Sequence, residues 1–343
     1  MHRISQFESD VNEIVERSYE DLQELLSHNI LVTGGGGFVG RWIVTALATF
    51  AERQKSKCTI TSFSRTTPKW QEELLERELI SVVNGDITAP LQIGTDFGHV
   101  FHCATPASAA LNALNPAGMQ KLIEAGARNL AAHFASTGTR VVNVSSGAVY
   151  GVQPAAIACF DEEWVDAREH TLPDSAYHRG KSRAEVFLNG AVRAGQLDVV
   201  HARLFAFLAP HLPLDAHFAA GNFLKNAIDN RPTTIAGDGR TIRTYMYGTD
   251  LAVWTFAIAA RGKTGRAYNV GSPRPISIAD LAALIATLSG SSHQPVDLGN
   301  PDLQRPPHRY VPCTNRIESE LGVTLDVDLT DAISRTLNWL REL

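Results

Sequence analysis

Hydrophobic positions near the start of the chain follow one period, and those after residue 29 follow another. Between residues 4 and 26, Ile4, Phe7, Val11, Ile14, Val15, Tyr19, Leu22, Leu25 and Leu26 recur three or four apart, with acidic side chains between them. That spacing predicts a helix or helix pair with one apolar face. Residues 1–28 are read as an N-terminal helical extension packed on the main body, with a partner-binding helix as the alternative. Short apolar runs then take over, at 30–33, 59–63, 80–83, 100–103, 140–144 and 198–202. They read as strands. The longer stretches between them, at 38–50, 119–136 and 176–194, read as helices. Strands that alternate with helices need crossover connections, so the expected fold is α/β: a Rossmann-type doubly wound parallel sheet covered on both faces.

The pattern changes after Arg203. Pro210, Pro213, Pro232, Gly237 and Gly239 interrupt it, as turn-forming residues do. Residues 246–260 and 268–270 look like a return to the sheet region, and 278–288 and 329–343 read as helices. The expected organisation is a Rossmann domain over 29–203, with 246–271 returning to it. Residues 204–245 and 272–343 would form a smaller interleaved C-terminal substrate-binding region.

The first strand runs into Gly34-Gly-Gly-Gly37-Phe-Val-Gly40 and then a helix. Gly34 permits a tight turn, Gly37 lets backbone approach a pyrophosphate, and Gly40 lets helix and strand pack closely. The helix N-terminus adds free N–H groups and a positive dipole end. An ordinary flexible loop is the alternative, but the strand before and the helix after favour a dinucleotide site. The second strand ends in Ser64-Arg65 where an NAD-selective site usually presents an acid. Arg65 and Ser64 can hold a 2′-phosphate, so NADP is expected ahead of NAD; a solvated loop arginine is the plainer reading. Asp86 can accept from the adenine amino group or simply form a turn.

A second constellation lies downstream. Ser145-Ser146 follows the fifth strand, at the carboxyl end of the sheet where open α/β folds bind ligands. Tyr177 and Lys181 are four apart on a predicted helix and share a face. A nearby cation favours tyrosinate, so Tyr177 can exchange a proton with a hydroxyl or carbonyl while Ser146 hydrogen-bonds the same oxygen. Tyr-x-x-x-Lys alone is common on exposed helices; its weight comes from following the glycine cradle and the serine loop.

Together these pieces resemble the extended short-chain dehydrogenase/reductase family, the NAD-dependent epimerases and dehydratases that act on nucleotide sugars. The matching segments are Thr33 to Gly40, Gly85-Asp86-Ile87, His102-Cys103-Ala104, Ser145 to Gly151 and Tyr177-x-x-x-Lys181. They continue with Arg203 to Pro210, Gly221-Asn222-Phe223, Gly237 to Arg243, Asp250-Leu-Ala and Tyr268-Asn-Val-Gly271. The resemblance implies a catalytic Ser146, Tyr177 and Lys181. It implies cofactor contacts from Phe38, Val39, Asp86, Ile87 and Ala104 beside Gly34, Gly37, Gly40, Ser64 and Arg65. It also implies diphosphate contacts from Asn222 and Arg243, with Arg305 assisting. Family 4,6-dehydratases carry Asp-Glu directly after the catalytic hydroxyl residue, and the decarboxylases carry Glu at the second of those positions. Here Gly147 and Ala148 stand there, which disfavours both chemistries. Ala206 replaces a common Asn, removing a usual sugar contact.

The expected function is therefore hydride and proton transfer at a nucleotide-sugar carbon, C4 foremost, by an epimerase or a 4-ketoreductase. An NADP-dependent reductase of a non-sugar carbonyl, or a catalytically inactive cofactor-sensing module, is the alternative. The resemblance also implies a homodimer pairing helices at 113–136 and 176–194, with Leu122, Ile123, Leu130 and Phe134 available for the seam.

Composition narrows the setting. The 343 residues are 44% hydrophobic and 20% charged, enough for a sizeable core. The net charge of −5 gives no reason to expect nucleic-acid or membrane partners. Residues 1–28 lack a basic, then apolar, leader, and the apolar stretch at 251–260 is about half of the ~20 residues a span needs. The expectation is a cytoplasmic protein. Cys58, Cys103, Cys159 and Cys313 show no paired spacing and are expected to be free in a reducing compartment. The histidines show no metal-ligand spacing, and no metal is expected.

Overall fold

Every short apolar run becomes a strand of one sheet. The computed structural model describes residues 4–105, 114–164, 175–214, 219–235, 237–293, 295–297, 299 and 306–343. Its main strands are β1 (Ile30–Thr33), β2 (Ile60–Ser64), β3 (Ser81–Asn84), β4 (His99–His102), β5 (Arg140–Ser146), β6 (Asp198–Leu204) and β7 (Ala267–Val270). All pair in parallel, in the order β7-β6-β5-β4-β1-β2-β3. Chain order reverses between β1 and β4, and a crevice opens at such a point beyond the strand ends.

Strand alternation assigns the two faces. Leu31, Val100, Val141 and Val199 point one way and meet Ile123, Leu130, Phe134 and Leu188, from helices Pro116–Phe134 and Ala176–Arg193. Val32, Phe101, Val142 and Val200 point the other way, toward Trp42 and Phe50 of helix Phe38–Gln54 and Trp254 and Phe256 of helix Gly248–Arg261. With both faces covered, the strands must read as continuous apolar runs. Local signals fix the helix starts. Asn115 accepts from Gly118 N with Pro116 at the first helical position, and Ser175 accepts from His178 N.

The N-terminal extension is two helices, Gln6–Arg17 and Tyr19–Leu25, the first opened by a Ser5/Glu8 capping box. Val11, Ile14, Val15, Leu22 and Leu25 are buried. Polar contacts lock it onto the second half of the chain: Tyr247 Oη donates to Asp10 at 2.5 Å, Arg17 to Asp250 at 2.6 Å, and Arg261 Nε to Asp21 at 2.7 Å. The return at 246–260 is a two-residue strand, Met246–Tyr247, beside Phe207–Leu208, followed by the helix Gly248–Arg261, apolar nearly all round. Among the described residues, no helix is long and apolar enough to cross a membrane.

Two expectations change. Cys159 and Cys313 are not free: they form a disulfide, with Cα atoms 5.2 Å apart across a sequence separation of 154. The pairing is tertiary. Phe160 lies beside Pro312 in a parallel bridge, Phe160 N–H donates to Val311 O at 2.8 Å, and Cys313 N–H donates to Phe160 O at 2.7 Å. No local spacing announces such a contact, and a stable disulfide removes the argument for a reducing compartment. Cys58 and Cys103 are free. Of the groups offered for a dimer seam, Ile123, Leu130 and Phe134 are buried against this chain's own sheet. Leu122 is half-buried.

Candidate active site

The glycine cradle leaves no room for side chains where backbone meets backbone. Gly34 has φ +69°, and a Cβ there would lie 2.7 Å from backbone atoms of Cys103 and Ala104. A Cβ on Gly40 would lie 2.3 Å from Gly34 O. A Cβ on Gly37 would meet only Gly34 O, at 3.3 Å, so space stays open above the turn, where Phe38 and Val39 begin the helix. An open turn at a helix N-terminus is the geometry that a dinucleotide pyrophosphate would require.

The adenosine end is less uniform. Arg65 is exposed, and Ser64 Oγ donates to Thr66 O at 2.8 Å. Asp86 accepts from Thr88 N and Thr88 Oγ1, both at 2.8 Å. These hydrogen bonds hold its carboxyl below the usual range, with Arg65 helping. Asp86 is thus a turn former with Arg65 near it. Ile87 is buried, and its carbonyl accepts from Asn129 Nδ2 at 3.0 Å.

Ser146 and Tyr177 are neighbours, and Lys181 follows one turn later on the helix of Tyr177. Ser146 ends β5, and its Oγ accepts from Ala148 N at 3.1 Å, with the Tyr177 side chain near it. Lys181, buried one turn after Tyr177, donates to Val144 O at 2.7 Å and to Thr105 Oγ1 at 3.0 Å. Burial pulls its ammonium down to about 8. Burial likewise pushes the Tyr177 phenol up, opposed by the Ser146 hydrogen bond. The expected lowering of Tyr177 by Lys181 is therefore not the dominant effect here. Two of the three ammonium donors are aimed at Val144 and Thr105.

Ser145 is no substitute for Ser146. It donates to Glu185 at 2.5 Å beneath the site. Glu185 accepts from Arg203 at 2.7 Å, Arg203 donates to Tyr150 Oη at 2.9 Å, and Tyr150 donates to Asn269 at 2.6 Å. Burial works against ionising Glu185, but Arg203 outweighs it and holds the carboxyl below the usual range. This buried chain braces the strand end and the catalytic helix from below. Its only sequence signal was Glu185 standing four residues after Lys181 on the same helix face.

Tyr310 was not anticipated. Its ring lies 4.5 Å from that of Phe205. A Cβ on Gly147 would fall 2.5 Å from Tyr310 Oη and 2.6 Å from Phe205. The position where dehydratases carry an acid is therefore filled from a segment over 150 residues away. Arg243 lies over the same ring at 5.9 Å, beside the site. Asn222 is exposed in the first turn of helix Ala219–Ile228, inside the helix and not at its cap. Arg305 lies outside the described residues. His102, His178 and His201 are hydrogen-bonded to protein groups, and among the described residues no cluster could hold a metal ion.

Residues 30–271 match the model of the NAD dependent epimerase/dehydratase family. Curated relatives include UDP-glucuronic acid decarboxylase 1 of Xenopus tropicalis, 26% identical over 94% of this chain and 74% of that protein. The enzyme of the same name from Arabidopsis thaliana is 25% identical over 91% and 69%. Among solved structures, UDP-glucose 4-epimerase of Thermotoga maritima with UDP-glucose aligns at TM-score 0.76 and 21% identity, covering 92% of this chain and 99% of that one. The dTDP-glucose 4,6-dehydratase DesIV of Streptomyces venezuelae, with NAD and TYD bound, aligns at 0.78 and 22%, covering 92% and 97%. These structural likenesses establish the fold. The decarboxylase relatives mean that exclusion of decarboxylation is not supported by kinship; it rests on Gly147 and Ala148 alone.

Proposed function

The chain belongs to the NAD-dependent epimerase/dehydratase family, and from that premise we propose that it interconverts an alcohol and a carbonyl on a nucleotide-activated sugar, at C4, as an epimerase or a 4-ketoreductase. What supports this reading is Ser146 at the carboxyl end of β5 with the Tyr177 side chain near it and Lys181 buried one helical turn on, at the strand ends where the glycine turn also lies.

A bound nicotinamide cofactor accepts or delivers hydride. The chain's own groups handle the proton. Tyr177 takes it from, or gives it to, the sugar oxygen, and Ser146 bonds the same oxygen and fixes its direction. Lys181 keeps a cation near the phenolate. Arg243, which has no salt-bridge carboxylate among the described residues and stands beside Tyr310, supplies charge for the substrate diphosphate, with Asn222 and Arg305 assisting. Dehydration and decarboxylation lack their acid. Gly147 has no space for a side chain while Tyr310 stays in place, and Ala148 carries no carboxyl. NADP is the proposed preference because β2 ends in Ser64-Arg65 with no acid; NAD is the alternative. A homodimer is proposed as its assembly.

The test is incubation with NADPH and a panel of nucleotide 4-keto sugars, with UDP-hexoses without added cofactor, and with UDP-glucuronic acid. NADPH consumption identifies a reductase, and inversion without added cofactor an epimerase. Release of CO2 would replace this reading by the decarboxylase one that the curated relatives favour. Tight cofactor binding without turnover on any arm would leave a cofactor-sensing module.

A further inference from the structure

Two consecutive residues of β5 are bonded to the helix Ala176–Arg193 at positions one turn apart. Lys181 Nζ donates to Val144 O at 2.7 Å, and Ser145 Oγ donates to Glu185 Oε1 at 2.5 Å. Tyr177, Lys181 and Glu185 are spaced by four, so they lie along one face of that helix. A single contact at Lys181 would leave the helix free to pivot on it. The second contact, about 6 Å farther along the helix axis, removes that freedom.

Glu185 is itself held rigidly. Arg203 Nη2 donates to its Oε2 at 2.7 Å and Arg203 Nε to its Oε1 at 3.1 Å, a two-point grip on the carboxylate. Arg203 Nη1 in turn donates to Tyr150 Oη at 2.9 Å and to Glu162 O at 3.0 Å. A carboxylate only accepts, so Ser145 must donate and its one proton is committed. Both Ser145 and Glu185 are buried.

Ser146 follows Ser145 as the last residue of the strand, so fixing Ser145 fixes the backbone from which the Ser146 side chain leaves. We infer that the Ser145–Glu185 hydrogen bond is a clamp that sets the end of β5 against the catalytic helix, making Ser145 and Glu185 positioning residues that hold Ser146 in place beside Tyr177. This rests on the proposed roles of Ser146 and Tyr177.

Ser145→Ala is the test variant, because Glu185 keeps Arg203 as its partner and no charge is stranded. Glu185→Ala would leave Arg203 buried without its carboxylate and endanger the fold. The Ala148 amide reports on Ser146 directly, since it donates to Ser146 Oγ at 3.1 Å. In NADP-loaded Ser145→Ala, hydrogen exchange followed by NMR should quicken roughly tenfold at Ala148, the scale of one hydrogen bond, and stay unchanged at Val200 in the middle of β6. On the nucleotide sugar that the panel identifies, kcat should fall roughly tenfold, with KM and cofactor affinity within about twofold of wild type. Ser145→Thr, which keeps the hydroxyl, should restore both readouts. Unchanged exchange at Ala148 overturns the inference, as does quicker exchange with an unchanged kcat. So does a loss of kcat that Ser145→Thr shares in full, or one that comes with equal loss of cofactor affinity and quicker exchange at Val200, which is general loosening. The exchange readout needs no sugar substrate. Quicker exchange at Ala148 in a protein that turns over no nucleotide sugar would leave the clamp standing and remove the proposed reaction; unchanged exchange in an active enzyme would do the reverse.

Discussion

The cradle between β1 and its helix and the segment that brings Tyr310 to Ser146 both shape the same site, but they are encoded differently. The cradle is written in consecutive residues. A strand, three spaced glycines and an amphipathic helix specify each other within Ile30–Thr33 and Phe38–Gln54. The Tyr310 segment has almost no regular structure. It is held by a disulfide, by Gln153, and by two backbone bonds to each of Ile242 and Phe160. Local periodicity announces the first kind of element. Only the folded chain reveals the second.

Substitutions sharpen that contrast, and the largest effect belongs to the cradle. Gly40→Val forces a Cβ to within 2.3 Å of Gly34 O. It should abolish cofactor binding measured by calorimetry; retained affinity would show that the turn is not the phosphate site. Next, Lys181→Met should lower turnover by about 10²–10⁴-fold. A wild-type rate in that variant would remove Lys181 from the proton chemistry. On the distal side, Cys159→Ser with Cys313→Ser should cost about 2–4 kcal/mol in denaturant unfolding, because the bridge closes a very long loop. Equal midpoints in oxidised and reduced wild type would contradict this.

Smaller effects test the flanking regions. Burial pushes the Asp10 carboxyl up to about 6 from 3.8. The fold thus prefers its protonated form. That contribution is complete below about 3.9 and is lost as pH rises through 6. The stability difference between wild type and Asp10→Asn should therefore fall by at most about 3 kcal/mol between pH 4 and 7. A difference that grows with pH would show the Arg335 ion pair outweighing burial. Finally, Arg65→Ala should weaken NADP binding by about 10–100-fold and leave NAD nearly unchanged. Equal losses for both would assign Arg65 to its neighbour Asp86 instead.

How far the sequence was legible follows the same division. Six of the seven strands lie within two residues of the apolar runs that predict them, because burial on both faces leaves no other reading; the seventh, Ala267–Val270, was read only as a return to the sheet region. The order Ser146, Tyr177, Lys181 along an α/β chain was enough to place Ser146 at a strand end and Tyr177 and Lys181 one turn apart on the helix Ala176–Arg193. Glu185 and Arg203 escaped notice as a pair because their link crosses from helix to strand. Cys159, Cys313 and Tyr310 escaped because nothing within ten residues of any of them points to its partner. Arg243 does reach the site, beside a tyrosine that the motif reading had not included. Asn222, by contrast, is simply exposed.

The central claim is that Tyr177 moves the proton, and the most direct measurement compares Tyr177→Phe with wild type on whichever nucleotide sugar the panel identifies, with cofactor occupancy measured in the same samples. The ring and its packing remain in the variant, so occupancy should be unchanged while turnover falls by about 10²–10⁴-fold. Near-normal turnover with cofactor still bound would contradict the account, whichever sugar is used.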